Sequence, residues 1–485
     1  MIQGPGAQGL ILEEPLLWEK GKPGRTAYSM PERDVPAAEL AGDLIGDVPD
    51  FPDLSEVDVV RHYTRLSSWN FGIDTGMYPL GSCTMKYNPK INEKMAATPG
   101  LASAHPLLEE HLSQGILELQ FELQEFLKTI TGMDAFSLQP SAGAQGELTA
   151  MLMFAAYFRK KGEVRNKILI PDTAHGTNPA SAALCGFKAV PIVSGAQGVL
   201  EPDRVAELMD DQTVGIMLTN PNTLGLFEEH IREITDIVHS HGGLVYGDGA
   251  NMNAIMGMVD IKRCGIDAVH LNLHKTFSTP HGGGGPGAGP VGVSIELEPF
   301  LPVPRVVKTE DGFRLDTSSP DSIGRVHGFF GNVSILVRAY SYILSMGGKN
   351  LKKASQLAVL NGVYVRELLR DTFELAYDRP CMHESVFSDK KQQPFKITTL
   401  DMAKRLIDYG FHPPTIYFPL VVPGAIMIEP TETECKEDLD RFAEVFKEIA
   451  REAQADAEQL RQAPTRTKVR RLDETLAARK PRLRG

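Results

Sequence analysis

The chain has 485 residues, enough to bury a large core and too many for a binding module alone. Its formal net charge of -12 argues against a nucleic-acid surface, which needs clustered Lys and Arg, and leaves small molecules and protein partners as the expected ligands. Cys83, Cys185, Cys264, Cys381 and Cys435 are scattered, so neither a disulfide framework nor a zinc site is expected, and no other metal is. The N-terminal stretch lacks a basic start followed by an apolar run, and no segment reaches the apolar length of a membrane span. A soluble, unprocessed, cytoplasmic chain is the expectation.

In chain order, residues 1–60 are rich in Pro, Gly and acidic residues with little periodicity, and read as an extended arm of the kind used in assembly. Residues 61–325 form the expected large domain. Short apolar runs at Lys167–Pro171, Ala189–Val193, Gly215–Thr219, Gly243–Gly247, Ala268–Leu273 and Val291–Ile295 alternate there with helical patterns such as Phe227–Ser240. That alternation predicts an α/β fold, a mostly parallel sheet wrapped by helices. Residues 326–462 read as a smaller α+β domain, with helices around Val333–Met346 and Lys352–Thr372, strands at Thr415–Pro419 and Ala425–Ile428, and a helix from about Lys436 to Arg461. The tail, 463–485, is basic, and reads as a solvated or intersubunit segment.

Ligands of such sheets sit outside the carboxyl ends of the strands, and five segments there carry polar groups. The turn Ser141, Ala142, Gly143, Ala144, Gln145 opens into a helix expected to begin near Gly146, and its backbone N–H groups make a phosphate seat. His175 follows a strand and can stack on a planar ring. Asn220 and Thr223 follow the next strand and can bond a ring oxygen. Asp248 ends another, where a protonated pyridine nitrogen would offset the cost of burying a carboxylate. Lys275 follows the fifth, before a glycine run that lets backbone approach a ligand, and its amine can form a Schiff base. Taken singly, each has an ordinary reading: a capped helix, a structural histidine, an Asn-Pro-Gly turn, a capping Asp, a surface lysine. Taken together and in this order, they match the aspartate-aminotransferase-like fold of pyridoxal-phosphate (PLP) enzymes. With Ala250 and His274 added beside Asp248 and Lys275, these residues are the candidate cofactor set, and Lys275, His175 and Asp248 are the candidate catalytic groups.

The strings DTGMYPLGSCTMKYNP (74–89), HGTNPASA (175–182), TNPNTLGLFE (219–228), DGAN (248–251) and LNLHKTFSTPHGGGGPG (271–287) resemble the glycine cleavage system P-protein, over residues 60 to 440. The full-length family form is about twice this size, and the chain resembles only its cofactor-bearing half, subunit 2 of the split form. The resemblance implies PLP held as a Schiff base on Lys275, ring stacking by His175, a pyridine partner in Asp248 and phosphate binding by 141–145. It also implies decarboxylation of glycine with transfer of the aminomethyl group to the lipoyl arm of the H-protein, a subunit 1 partner and an α2β2 heterotetramer. Two rival readings remain open. One is another reaction on the same fold, such as a different amino-acid decarboxylase, a cysteine desulfurase or an aminotransferase with Arg325 holding a second carboxylate. The other is a non-catalytic scaffold subunit. Cys83, within GSCTMK, is a candidate redox thiol or a buried structural one.

Overall fold

Alternating burial on consecutive residues sets the main sheet. Leu169, Ile216, Leu218, Val245, Val269 and Leu271 enter one core, while their neighbours Ile168, Ile170, Val214, Met217, Tyr246 and Ala268 enter another. Side chains alternate across a strand, so the two cores lie on opposite faces of one sheet, and strands buried on both faces read as continuous apolar runs. The computed structural model describes residues 14–26, 31–47, 50–105, 108–282, 285, 287–328 and 331–481.

The strands are β1 (Ala135–Ser137), β2 (Lys167–Pro171), β3 (Lys188–Ile192), β4 (Thr213–Thr219), β5 (Leu244–Gly249), β6 (Ala268–Leu271) and β7 (Val291–Val293). Their order is β1-β7-β6-β5-β4-β2-β3, and only β7 runs against the others. The chain steps outward from β2 to β3, then crosses back over β2 to β4. That reversal is the topological switch point at which doubly wound sheets bind ligands. The helix Gly143–Lys161 covers one face through Met151, Phe154 and Phe158, and the helices Gln114–Thr131 and Ile231–Ser240 cover the other.

A two-stranded hairpin, β8 (Arg305–Thr309) and β9 (Gly312–Asp316), follows the sheet. The helix Val333–Leu369 breaks helical geometry at Gly347, which has φ +64°. A second sheet, antiparallel in the order β10-β11-β13-β12, is formed by β10 (Glu374–Leu375), β11 (Ser385–Ser388), β12 (Thr415–Ile416) and β13 (Ala425–Ile428). The helices Thr399–Asp408 and Lys436–Ala455 pack on it through Met402, Leu406, Phe442 and Phe446. All of this belongs to one compact unit, Gly76–Pro464.

A second unit is built from Met1–Thr75 and Thr465–Gly485. Residues 1–13 of the expected arm, and 482–485 of the tail, lie outside the described residues. The described part holds short helices at Leu17–Lys20 and Glu474–Arg479 and a longer one at Glu56–Ser67. Ser55 caps the longer one, accepting from the Asp58 N–H while the Asp58 carboxylate accepts from Ser55. Buried Glu14 accepts from His62 at 3.0 Å and Arg65 at 3.1 Å.

The expected strands are all present, Lys167–Pro171 and Ala425–Ile428 with the same ends and the others with ends shifted by up to three residues, as is usual where strands fray. β1, the hairpin, β10 and β11 are additions to the sequence reading. The helix expected at Phe227–Ser240 starts at Ile231, because Phe227–His230 continue the turn after β4. Among the described residues no helix is long and apolar enough to cross a membrane.

Candidate active site

Because β1, β2, β4, β5 and β6 run the same way, the segments that follow them meet on one edge of the sheet. They enclose a cavity of about 220 Å³ whose walls include Gly143, Ala144, His175, Asp248, Ala250, His274 and Lys275. Thus an amine and a carboxylate from adjacent strands open into one space. Of the other candidate residues, Ser141, Ala142, Gln145 and Asn220 do not line it.

The helix at the candidate phosphate turn begins at Gly143, three residues earlier than the sequence suggested, with Ala142 extended before it. The reason is local: the Gln145 amide oxygen accepts from the Ser141 N–H at 2.6 Å and from its hydroxyl at 2.9 Å, and the Gln145 amide donates to the Val326 carbonyl at 2.6 Å. Gln145 therefore pins the turn, and Gly143 and Ala144, whose first-turn N–H groups have no intrahelical acceptor, line the cavity. The described part of the glycine-rich run packs against this start. A Cβ on Gly289 would lie 2.0 Å from the Ala142 carbonyl oxygen, and one on Gly143 would lie 2.4 Å from the Asn272 side-chain oxygen. Gly289→Ala is expected to cost about 1–3 kcal/mol by overpacking. The measurement is the denaturation midpoint, together with the concentration of PLP needed to load the protein. Gly283, Gly284 and Pro286 lie outside the described residues.

Asp248 is 6% exposed near the end of β5. Its carboxylate accepts from the Ala250 N–H at 3.1 Å and the Asn178 amide at 3.2 Å, and the His270 ring lies 3.7 Å away. Burial alone would raise its pKa, but His270, Lys275 and these hydrogen bonds together hold the carboxyl below its ordinary range. His270 is itself driven down to about 4 by burial, so near neutrality it faces Asp248 as neutral imidazole, and the Lys275 charge and the N–H donors give the main support.

Lys275 sits in the turn after β6, which ends at Leu271 rather than the expected Leu273. Its backbone N–H donates to the Asn272 carbonyl at 3.1 Å, and among the described residues its amine has neither a hydrogen bond nor an ion pair. His274 is pushed down to about 3, mainly by burial and then by Lys275.

His175 lies at the rim between β2 and the helix Thr177–Leu184, its ring 6.0 Å from that of Phe418. Although solvent reaches it, the surrounding protein lowers its pKa, with Asp248 opposing that fall and Lys275 adding to it. Asn220 turns away: its side-chain oxygen accepts from the Glu228 N–H at 3.0 Å. The neighbouring walls are instead Thr219, Asn222 and Thr223, and Thr223 donates to the Thr173 carbonyl at 2.6 Å. Arg325 is not among the walls.

Several wall residues were not among the candidate site residues. Glu147 lies one turn into the helix Gly143–Lys161, and burial followed by the Asp248 charge pushes it up to about 7. Asn272 follows β6. From the second sheet come His383 and Glu384, just before β11, and from upstream comes Ser82. Glu384 is raised well above the ordinary carboxylate range by burial and by Glu429. The loop Gly81–Thr84 is clamped by these two acids: the Ser82 N–H donates to Glu384 at 2.9 Å, and the Thr84 N–H and hydroxyl donate to Glu429 at 3.2 and 2.6 Å. Ser82 and Thr84 have φ of +66° and +46°, an uncommon conformation for side-chain-bearing residues that these clamps hold in place. Cys83, between them, has its thiol raised by burial, which favours the structural over the redox reading.

The fit of PLP can be judged from polar atoms left over. Buried and without a hydrogen-bond partner among the described residues are Thr219 Oγ1, Asn272 Oδ1, His274 Nδ1 and both ring nitrogens of His383, all on cavity walls. Buried polar groups are normally satisfied, so such a cluster marks a space built for a polar ligand. A helix N-terminus for a phosphate, a stabilised carboxylate for a pyridinium and an unpaired amine for an aldehyde suit this cofactor.

Comparison with known proteins agrees. Residues 354–470 match the family described as glycine dehydrogenase, C-terminal domain, and residues 144–284 match aminotransferase class-V. Among solved structures, a glycine decarboxylase (P-protein) of the glycine cleavage system in inhibitor-bound form superposes with a TM-score of 0.71 at 18% identity, over 84% of this chain and 93% of that one. A cysteine desulfurase from Thermococcus onnurineus NA1 gives 0.60 at 16% identity, over 78% and 95%; both likenesses establish the fold. The protein from Caldanaerobacter subterraneus subsp. tengcongensis named probable glycine dehydrogenase (decarboxylating) subunit 2 is 54% identical over 97% of this chain and 98% of its own length. A protein of the same name from Staphylococcus saprophyticus is 54% identical over 97% of each. Identity at that level along nearly the whole of both sequences shows that the chain belongs to the glycine dehydrogenase (decarboxylating) subunit 2 family.

Proposed function

We propose that this chain is the PLP-carrying subunit of a split glycine decarboxylase, which removes CO2 from glycine and passes the aminomethyl group to the lipoyl arm of the H-protein. The observation that carries the reading is the opening of Lys275, Asp248 and the Gly143 helix start into one cavity, in a chain of this family. The chemistry that PLP would supply when bound there is an electron sink for the bond pair left by departing CO2.

The protein's part is binding, orientation and charge. Lys275 would hold the cofactor covalently through its amine. Gly143 and Ala144, in the turn Ser141–Gln145, would hold its phosphate through backbone N–H groups, with Ala250 and His274 as further cofactor-binding residues. Asp248 would keep the pyridine nitrogen protonated, its carboxylate steadied by Ala250 and Asn178. His175, at the rim, would stack on the cofactor. With Asn220 bonded to Glu228, the nearby Thr219 hydroxyl is the better candidate for a ring-oxygen partner. The absence of Arg325 from the walls speaks against an aminotransferase that grips a second carboxylate.

Subunit 1 and lipoylated H-protein are the partners, in an α2β2 assembly to which residues 1–60 and 463–485 contribute, around a cofactor domain of 61–325 and a smaller domain of 326–462. All five cysteines are unpaired, which supports a reducing, cytoplasmic setting. The test is co-expression with subunit 1, followed by exchange of labelled bicarbonate into glycine in the presence of lipoylated H-protein. Exchange that requires all three proteins is expected. No exchange, or labelling of larger amino acids in place of glycine, would sink the reading.

A further inference from the structure

A chain of side chains runs through the wall of the cavity from its rim to its floor. His175 Nδ1 lies 2.9 Å from Thr177 Oγ1, which lies 2.6 Å from Glu147 Oε1. The other Glu147 oxygen accepts from the Asn178 amide at 2.8 Å, and the same amide reaches Asp248 at 3.2 Å. Glu147 is 4% exposed and Asn178 is fully buried, so the path is dry at its centre.

We propose that Glu147 is a positioning residue that sets which nitrogen of His175 carries a proton, acting through the Thr177 hydroxyl, while Asn178 ties the same carboxyl to Asp248.

The argument is one of donors and acceptors. A hydroxyl has a single proton to give. When Glu147 is ionised, Thr177 donates to it, so Thr177 can only accept from the His175 Nδ1–H. When Glu147 is protonated it donates to Thr177, whose own proton then turns to His175 Nδ1, where the Thr177 N–H also points at 3.3 Å. Neutral His175 then carries its proton on Nε2. Each change at Glu147 is thus written into the imidazole two hydrogen bonds away. Should Nε2 give its proton to a reacting group, Nδ1 can be reprotonated along the same path: Glu147 loses one proton, Thr177 hands one on and receives one, and the count balances.

The other end of the path selects which carboxyl stays charged. Two carboxylates share one amide, and like charges this close oppose joint ionisation. Lys275 acts on both, but Asp248 also accepts from the Ala250 N–H, whereas Glu147 is held only by the Thr177 hydroxyl and the Asn178 amide. The titratable groups facing Glu147 are Asp248 and Tyr246 from β5, Lys275 after β6 and, through Thr177, His175; His270 of β6 stands behind Asp248. Asp248 therefore keeps its charge and Glu147 holds the proton, leaving its carboxyl at about 7.

This inference builds on the site assigned above, but it can be tested without cofactor or turnover, so the two can fail separately. The full-length chain is labelled with ¹⁵N-histidine, and the His175 ring signals, assigned by their loss in His175→Gln, are followed from pH 6 to 8.5. In the wild type, the Nδ1 and Nε2 shifts should exchange tautomer character in a transition centred near 7. Glu147→Gln and Thr177→Val should each abolish that transition; the second leaves Glu147 intact and guards against misfolding of the first. A transition that persists in either variant, or a wild-type ring that holds one tautomer across the range, overturns the proposal.

Discussion

Lys275→Ala is expected to abolish the visible absorbance of the protein–cofactor adduct and to lower glycine carboxyl exchange by on the order of 10⁴-fold or more, the scale seen when a covalent catalytic side chain is removed. The fold should survive. The turn that carries Lys275 is held by its backbone, through the N–H bond to the Asn272 carbonyl, and by Thr276, whose hydroxyl accepts from the Met252 N–H at 2.9 Å. The amine itself makes no hydrogen bond or ion pair among the described residues, so its removal breaks no packed network. Absorbance and exchange measured on one purified sample decide the matter, with circular dichroism as the check on folding. A variant that retains both activities would remove Lys275 from the chemistry. Lys275→Arg is the sharper control, since it keeps a positive charge next to Asp248 but offers no amine of suitable basicity.

Asp248→Asn should be the second largest loss, about 10²–10⁴-fold in exchange. The replacement keeps the shape and one accepting oxygen, so it removes the charge together with one of the two bonds, from Ala250 or from Asn178. Breaking a buried ion pair by neutralising one partner costs about 3–5 kcal/mol, and each 1.36 kcal/mol is a factor of ten in rate. PLP should still bind through Lys275, and its absorbance should remain, while exchange falls. Normal exchange in this variant would mean that the pyridine nitrogen finds its partner elsewhere. His175→Ala should be milder, on the order of 10²-fold, with unchanged thermal stability; exchange rates measured against a melting curve separate that outcome from a structural role.

The legible parts of this protein are those in which one local run of residues carries the whole signal. β2, β4, β5 and β6 are buried on both faces and so read as plain apolar strings, and the groups that follow them inherit their position from the parallel arrangement. Ala135–Ser137 was silent because three residues carry no period, although it closes the sheet beside β7. The hairpin Arg305–Asp316 carries Asp311-Gly312 at its turn, a signal that its half-exposed, charged faces obscured. In the cavity, Lys275 and Asp248 stand at strand ends where such groups are sought. Glu147 looks like any glutamate in a helix until its partners Thr177 and Asn178 arrive from 30 residues downstream. His383 and Glu384 come from another sheet more than 100 residues beyond Lys275, and no local pattern links them to it. The start of the Gly143 helix was misplaced because glycines mark turns as often as helix entries; only the Gln145 side chain, reaching back to Ser141, resolves which.

Thr219, Asn272, His274 and His383 hold polar atoms out of water without giving them partners. Each such atom destabilises the folded chain by about 1–3 kcal/mol, and a ligand that satisfies them returns that energy. Folding and vitamin supply are thereby linked by mass action: at a hundredfold excess over its dissociation constant, a ligand that binds only the native state adds about 2.7 kcal/mol to its stability. In a cell short of vitamin B6, the same linkage would lower the stability of the chain, so scarcity would be felt in the amount of folded protein as well as in the fraction loaded.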